Sequence, residues 1–461
     1  MNKAKDITSY LKNYGFFFPN AEIYQGLAKS WDCGPNSAEL KRKLKDLWWK
    51  YFITSQPYNI SLDSSILTHP RVLEASGHLK EFHDWLVECN KCKKRYRLDN
   101  LVSVKEFNDF LALENKSEYI VKQNCPSCDK NEFTNPRQFN LLLSSDLQIT
   151  NQKKENIVYL RPETCQGIFI NFSAIQRSIR KKLPFGVGQI GKSFRNEITL
   201  HHGIFRTREF EQMELEFFCS LEEKEKWWEY WNQKAWSFLT SLLVNDKKKA
   251  QKKALSQEEL PHYAKKTTDL YFQYHFGEGE LCSISDRGDY DLKNHSEKSG
   301  EKLKVEGTTP HVIEISFGVE RLMLAILEDA YQEETVKNSK GEKKREVLKL
   351  HPLLAPYFVA VIPWKKSLRE KAQQIYQKLL TEINFSVIYE ETDSIGKSYH
   401  YQDAIGTYYC LTVDDQTLND ETITVRERDS REQFRFSCQE QELSQFLNQK
   451  YQECWKKLIK I

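Results

Sequence analysis

Glycine and proline are scarce, 18 and 13 in 461 residues, which excludes a collagen-like or low-complexity chain. Long apolar runs are absent. The longest, Leu353 to Trp364, has 12 residues and contains two prolines, against the roughly 20 that a spanning helix needs. The N-terminal MNKAKDITSYLKNYG lacks the apolar centre of a secretory leader, so a soluble, cytoplasmic protein is expected. Excess charge is also missing. Lys+Arg is 68 and Asp+Glu 65, a net of +3. That excludes a wholesale basic coat and leaves room for a local patch facing nucleic acid. The cysteine count, 11, is odd, which argues against a disulfide framework in a chain with no leader.

What is present reads as globular: 29% charged and 13% aromatic residues, and a length that suggests about three domains at roughly 150 residues each. Leu40, Leu44, Leu47, Trp48 and Tyr51 recur at helical spacing after Asp32-Cys33-Gly34-Pro35, predicting a helix over Ser37 to Phe52. A lysine-rich, loop-like region from Thr54 to Leu147 holds two cysteine pairs, Cys89-x-x-Cys92 and Cys125-x-x-Cys128. Four thiolates suit a closed tetrahedral structural Zn²⁺. The 32 residues between the pairs exceed the usual ribbon spacing, and four free thiols are the alternative. A helix is expected from Pro162 to Lys182, then strands Gly186 to Glu197 and Thr207 to Cys219. Lys247 to Lys253 reads as a solvated helix face, Asn294 to Glu306 as a surface loop, and Gln332 to Lys349 as a turn or linker. Beyond Pro352, strand–helix–strand alternation predicts a separate α/β domain with parallel crossovers.

The two central strands carry the chemistry. Alternate side chains of a strand share a face, so Arg195 and Glu197 point one way and Phe194 and Asn196 the other. On the returning strand Gln212, Glu214 and Glu216 oppose the apolar Met213, Leu215 and Phe217. One face then bears Arg195, Glu197, Gln212 and Glu214, with Arg206, Arg208 and Phe210 near the loop. Arginines clamp phosphate, and an aromatic face stacks on a base. The plainer alternative is a solvated sheet face. Further on, Ile313, Ile315 and Phe317 oppose Glu314 and Ser316. Gly318 turns this strand into a helix opening with Glu320 and Arg321. A cation there opposes the helix dipole, which is easier to understand if an anion meets it.

Phe194-Arg195-x-Glu197, a loop, then Arg206-x-x-x-Phe210 resembles motif 2 of the class II aminoacyl-tRNA synthetases. Gly318-x-Glu320-Arg321 after its strand resembles motif 3, and Asp32-Cys33-Gly34-Pro35 with its helix resembles motif 1. Arg161-Pro-Glu163-Thr164-Cys165-Gln166-Gly167, Phe205 to Glu214, and Asp289-Tyr290-Asp291-Leu292 are similar to the homodimeric, glycine-specific group of that class. The resemblance covers nearly the whole chain. It implies an α+β catalytic domain, an antiparallel sheet with flanking helices, over 1–345. Insertions are expected at about 54–150 (zinc-knuckle-like) and about 240–275, with a C-terminal α/β anticodon-binding domain over 352–461.

The implied activity is ATP-dependent attachment of glycine to tRNA(Gly) through glycyl-adenylate, with Mg²⁺, in a homodimer. Arg195 would hold the α-phosphate and Arg321 the γ-phosphate, as the two catalytic residues. The implied ATP site adds Asn196, Glu197, Phe205, Arg206, Thr207, Arg208, Glu209, Phe210, Glu280, Leu281, Gly318, Val319 and Glu320, with Glu280 toward Mg²⁺. The implied glycine site comprises Arg97, Glu163, Phe210, Glu211, Gln212, Met213, Glu214, Arg287, Glu314, Ile315, Ser316, Phe317 and Gly318. Carboxylates suit the ammonium group, and the smallest amino acid needs no editing site.

Two departures stand out. Asn36-Ser37 replaces the Leu-Gly expected in motif 1, and both are good N-caps. Lys397, Ser398, His400 and Tyr401 stand where relatives carry arginine pairs around Tyr399. Arg426, Arg428, Arg431 and Arg435 are the candidates to grip RNA instead, or they form a solvated hairpin. The competing functions are a proline or threonine enzyme, a non-catalytic RNA-binding or polymerase-accessory subunit, and a ligase with a non-tRNA acceptor.

Overall fold

The computed structural model describes residues 6–27, 30–147, 157–197, 203–338, 341–391, 394–439 and 441–459. Most of the loop between the two central strands, 198–202, lies outside them, including His201 and His202.

Helix α1 (Pro35–Trp49) starts two residues earlier than expected. Gly34 occupies the N-cap and Pro35 the first helical position, where a missing N–H costs nothing. Asn36 and Ser37 are therefore buried in the first turn and do not cap it. Asn36 Nδ2 donates to the Tyr14 carbonyl at 2.7 Å. Strand β1 (Asn59–Ser61) follows. The cysteine region is more than a loop. Strands β2 (His83–Glu88), β3 (Arg95–Arg97) and β4 (Arg137–Asn140) form a small antiparallel sheet, ordered β3-β2-β4. Its own core holds Val87, Leu98, Phe110 and Val121.

After helix α2 (Cys165–Ile179) come β5 (Phe185–Phe194), β6 (Glu209–Cys219), helix α3 (Lys224–Leu242), β7 (Ala250–Ala254), β8 (Lys266–Tyr274), β9 (Gly277–Gly288), helix α4 (Tyr290–Ser299), β10 (His311–Gly318) and helix α5 (Val319–Ala330). The main sheet gathers seven strands in the order β7-β8-β9-β10-β6-β5-β1. Only β1 runs parallel to its neighbour, β5; the other pairings are antiparallel.

The alternation of β6 and β10 decides how the sheet is covered. Met213, Leu215, Phe217, Ile313, Ile315 and Phe317 lie in one apolar cluster with Leu40, Trp48, Trp231, Phe238 and Leu322 from α1, α3 and α5. Phe317 packs its ring 5.8 Å from Phe52 and 5.7 Å from Phe238. Truncating such a ring to Ala costs about 3–5 kcal/mol. The opposite face is apolar only where α2 and α4 cover it, around Phe169, Phe172, Phe218 and Leu292. Beyond that cover the face is polar and concave.

Several expectations need correction. Lys247–Lys249 is a short 3₁₀ turn and Ala250–Ala254 an edge strand, so the lysine run is not a helix face. An edge strand exposes alternate residues, and lysines there block edge-to-edge pairing. Within the stretch 240–275, β7 and β8 belong to the main sheet. Asn294–Ser299 is helical. The expected linker is a hairpin, β11 (Tyr331–Asn338) against β12 (Gly341–Leu348), so the boundary placed at 345 falls inside a strand. The tip, 339–340, lies outside the described residues.

The C-terminal domain has β13 (Val359–Pro363), α6 (Arg369–Glu382), β14 (Val387–Tyr389), α7 (Ile395–Ile405), β15 (Tyr409–Val413), β16 (Thr422–Glu427), β17 (Gln433–Ser437) and α8 (Glu442–Ile459). The sheet order is β14-β13-β15-β16-β17, with β13 parallel to both neighbours, as the crossovers predict. Among the described residues no helix is long and apolar enough to cross a membrane.

Candidate active site

A cavity of about 380 Å³ opens on the polar face. Strand β5 ends at Phe194, so Arg195, Asn196 and Glu197 follow it. Pairing persists one residue further, with Arg195 N–H donating to the Arg208 carbonyl at 2.9 Å. At one end of the cavity lie Arg195, Glu197, Phe205, Arg206, Thr207, Phe210, Glu280, Gly318, Glu320 and Arg321. Arg195 Nε donates to the Pro162 carbonyl at 3.0 Å. Its guanidinium lies 5.3 Å from the rings of both Phe82 and Phe210. Arg321 donates to the Phe205 and Glu280 carbonyls, each at 3.3 Å, and lies 4.7 Å from the Phe205 ring. The Glu280 carboxylate is 3.4 Å from Arg321.

At the other end Glu163, Gln212, Glu214, Glu314 and Ser316 converge. Glu214 Oε1 accepts from Gln212 Nε2 and Ser316 Oγ, both at 2.7 Å, and Thr164 Oγ1 donates to the other oxygen. Glu163 accepts from Cys165 Sγ and Gln166 Nε2 at 3.0 Å, with His78 Nε2 3.5 Å away. Burial would push Glu163 upward, but the charge and hydrogen bond of His78 hold it well below the usual carboxylate range. Glu314 goes the other way. Burial and the neighbouring Glu214 and Glu163 raise it, while Arg287 pulls it down.

The contiguous runs implied by resemblance are split by the strand period. Glu211, Met213, Ile315 and Phe317 do not face the cavity. Met213, Ile315 and Phe317 are core residues. Glu211 is on the far face, where it pairs with Lys41 at 2.6 Å and Lys45 at 2.8 Å. Leu281 and Val319 are also core residues. Asn196 N–H is tied to the Leu141 carbonyl at 2.8 Å, and Glu209 pairs with Lys192 on the surface. None of these eight side chains, nor that of Arg208, lines the cavity.

Arg97 and Arg287 are engaged elsewhere. Arg97, on β3, binds Asp99 through two hydrogen bonds of 3.0 and 2.6 Å and lies 3.4 Å from Asp84. Arg287 is fully buried, held by Asp291 at 2.7 and 2.9 Å and by Glu314 at 3.1 Å. The Tyr263 ring lies 3.8 Å from its guanidinium. It braces Glu314 from beneath.

Sequence reasoning missed Phe82, Asp269, Ser283 and Tyr263. Asp269, Ser283 and Tyr263 line the cavity, and Phe82 sandwiches Arg195. Asp269 had a signal: Thr267, Asp269 and Tyr271 alternate with Leu270 and Phe272. Burial and the nearby Glu280 push Asp269 up to about 6.

A sequence profile for the tRNA synthetase class II core domain (G, H, P, S and T) matches residues 147–330, and one for an anticodon binding domain matches 358–449. Over 461 aligned residues the chain is 46% identical to a glycine–tRNA ligase of Geobacillus thermodenitrificans, covering 97% of each. It is 46% identical to one of Clostridium acetobutylicum (96% and 98% covered) and 47% identical to one of Mycoplasma mycoides (98% and 100%). The chain belongs to the glycine–tRNA ligase family. Its fold is similar to a prolyl-tRNA synthetase of Cryptosporidium parvum, with a TM-score of 0.61 at 14% identity, covering 100% of this chain and 80% of that one.

This family member also carries a four-cysteine cluster. Cys89 and Cys128 sulfurs are 3.6 Å apart, as are those of Cys92 and Cys125, and all four lie within 4.8 Å of one another. Each pair forms the same knuckle. Lys93 N–H returns to the Cys89 carbonyl and Asp129 N–H to that of Cys125, both at 2.8 Å. Lys93 and Asp129 take left-handed φ of 58° and 57°. Four sulfurs around Zn²⁺ at about 2.3 Å would sit roughly 3.8 Å apart, so the donor set fits.

The C-terminal arginines do not form one RNA-facing row. Arg426 makes a bidentate pair with Asp403 at 2.8 and 2.9 Å. Arg428 is buried against the Gly406 and Leu350 carbonyls at 2.9 and 2.6 Å. Arg435 binds Asp414 and Thr422. Arg431, at the turn, is exposed.

Proposed function

We infer that this chain activates glycine with ATP and transfers it to tRNA(Gly), a cytoplasmic reaction. The observation that carries this is the polarity of one cavity, with arginines and an aromatic ring at one end and buried carboxylates at the other. Phe210 stacks on adenine, Arg195 binds the α-phosphate and Arg321 the γ-phosphate. The ammonium group sits among Glu163, Glu214, Glu314 and Ser316, which turns the substrate carboxylate toward Arg195.

That carboxylate attacks the α-phosphorus in line, giving glycyl-adenylate and pyrophosphate. The terminal ribose hydroxyl of the tRNA then displaces AMP. No side chain is a covalent nucleophile; Arg195 and Arg321 supply position and charge stabilisation. Glu280 and Asp269 would hold Mg²⁺, which neutralises phosphate charge. Asp269 retains a buried, unpartnered oxygen that suits this role. The four cysteines hold a structural Zn²⁺ that fixes the inserted sheet. The chain acts as a homodimer, in which the exposed Ile23 and Tyr24 (87% and 81%) near α1 become covered.

The deciding experiment is ATP–pyrophosphate exchange with each of the twenty amino acids, with Arg195→Ala as control. Exchange with glycine alone, lost in the control, is expected. Exchange with another amino acid overturns the pocket assignment, and none at all overturns the activity. Elemental analysis should find one zinc per chain, lost in Cys125→Ser; sedimentation should give twice the chain mass.

A further inference from the structure

The polar face of β6 carries one more carboxylate than the substrate reading uses. Glu216 is wholly buried, and neither of its oxygens has a hydrogen-bond partner among the described residues. Its register partner across the β6–β10 ladder is Glu314. An oxygen of each and the Cys165 sulfur lie within 4.8 Å of one another.

Two like charges directly opposite in a ladder repel, and a buried charge without a partner is expensive. The surrounding groups do not relieve it. Glu163, Glu214 and Asp291 are further acids, Cys165 and Tyr263 are neighbours whose burial keeps them protonated, and Arg287 is the nearby cation. Arg287 already divides its donors between Asp291 and Glu314. Thr164, Gln212 and Ser316 all donate to Glu214.

We propose that Glu216 is carried as a neutral carboxylic acid whose hydroxyl faces the Glu314 carboxylate, making it the positioning residue that orients Glu314 for the substrate ammonium. The proton removes one negative charge from beneath the pocket. It also supplies the donor that the pair lacks, so Arg287 and Glu216 steady Glu314 from two sides. Burial first, and the charge of Glu314 second, push Glu216 well above the carboxylate range; the pair shares one proton, and because Arg287 bonds Glu314 and not Glu216, the charge rests on Glu314.

The proposal rests on the glycine reading above, and its test separates the two. In wild type at pH 7, infrared difference spectroscopy against Glu216→Gln should show a protonated-carboxyl carbonyl band that the variant lacks. Glu216→Leu should raise KM for glycine about tenfold or more, the scale of losing one buried hydrogen bond, with kcat and KM for ATP moving far less. Glu216→Gln keeps the shape and a donor and should recover most of that loss. Absence of the band, a Gln variant as impaired as the Leu variant, or an unchanged glycine KM in a folded Leu variant would each overturn the proposal. Wild-type protein that shows the band without glycine exchange would sink the glycine reading and leave the neutral acid standing.

Discussion

Arg195, in the catalytic half, and Arg426, in the C-terminal domain, have opposite surroundings. In the catalytic cleft Arg195 rests between two aromatic rings with one carbonyl acceptor, and no carboxylate lies within ion-pair distance among the described residues. In the C-terminal domain Arg426 and Arg345 both close on Asp403, from β16 and the hairpin strand β12. A guanidinium whose donors are satisfied by a carboxylate holds the fold together. One held by ring faces and a carbonyl keeps its charge available for a ligand. The residue type is the same, and its partners set its job.

The comparison can be broken most sharply at Arg195. Arg195→Ala should reduce exchange activity about 10³-fold, the scale for losing one transition-state charge contact, with the unfolding midpoint nearly unmoved. A matching loss of stability would erase the contrast. Asp403→Ala should do the reverse, since it leaves Arg426 without its carboxylate and takes one of two from Arg345. A cost of about 3–5 kcal/mol is expected in denaturant unfolding, with exchange by the folded fraction retained.

A third test uses pH. Burial, then the charges of Arg428 and Lys457, depress His351 to about 4. The unfolded chain binds its proton near pH 6.5 and the folded one does not. Stability is therefore intact above pH 6.5 and lost as pH falls toward 4, by on the order of 3 kcal/mol. Melting curves of His351→Asn should show a shallower acid limb than wild type. The smallest effect belongs to the half-exposed pair of Lys365 and Asp415, 2.7 Å apart. Lys365→Ala should change stability by under about 0.5 kcal/mol, and a larger change would mean that exposure is a poor guide here.

The polar and apolar faces of β6 and β10 were legible because a strand has period two, and that pattern needs only neighbouring residues. The parallel crossovers of the C-terminal domain were legible for a similar reason. Partners distant in sequence were not. Phe82 reaches Arg195 from just before β2, and Asp403 neutralises Arg426 from a helix. No local period records either contact, so Arg426 and Arg428 looked like surface charges. The hairpin of β11 and β12 was read as a linker because charges crowd both strands and one turn signal dominates. Glu211 and Met213 entered the implied site because a contiguous motif was carried over whole, although successive residues of a strand face opposite ways.

That interleaving bears on how such a chain can change over generations. Gln212, Glu214 and Glu216 alternate with Met213, Leu215 and Phe217, so inserting or deleting one codon within β6 would exchange the two sets. Carboxylates would enter the core as the apolar residues entered the cleft. Point changes can tune either face alone. Length variation is expected instead in the loop after Arg195, the cysteine-bearing region and the hairpin before the C-terminal domain, where lineages of this enzyme should record their divergence.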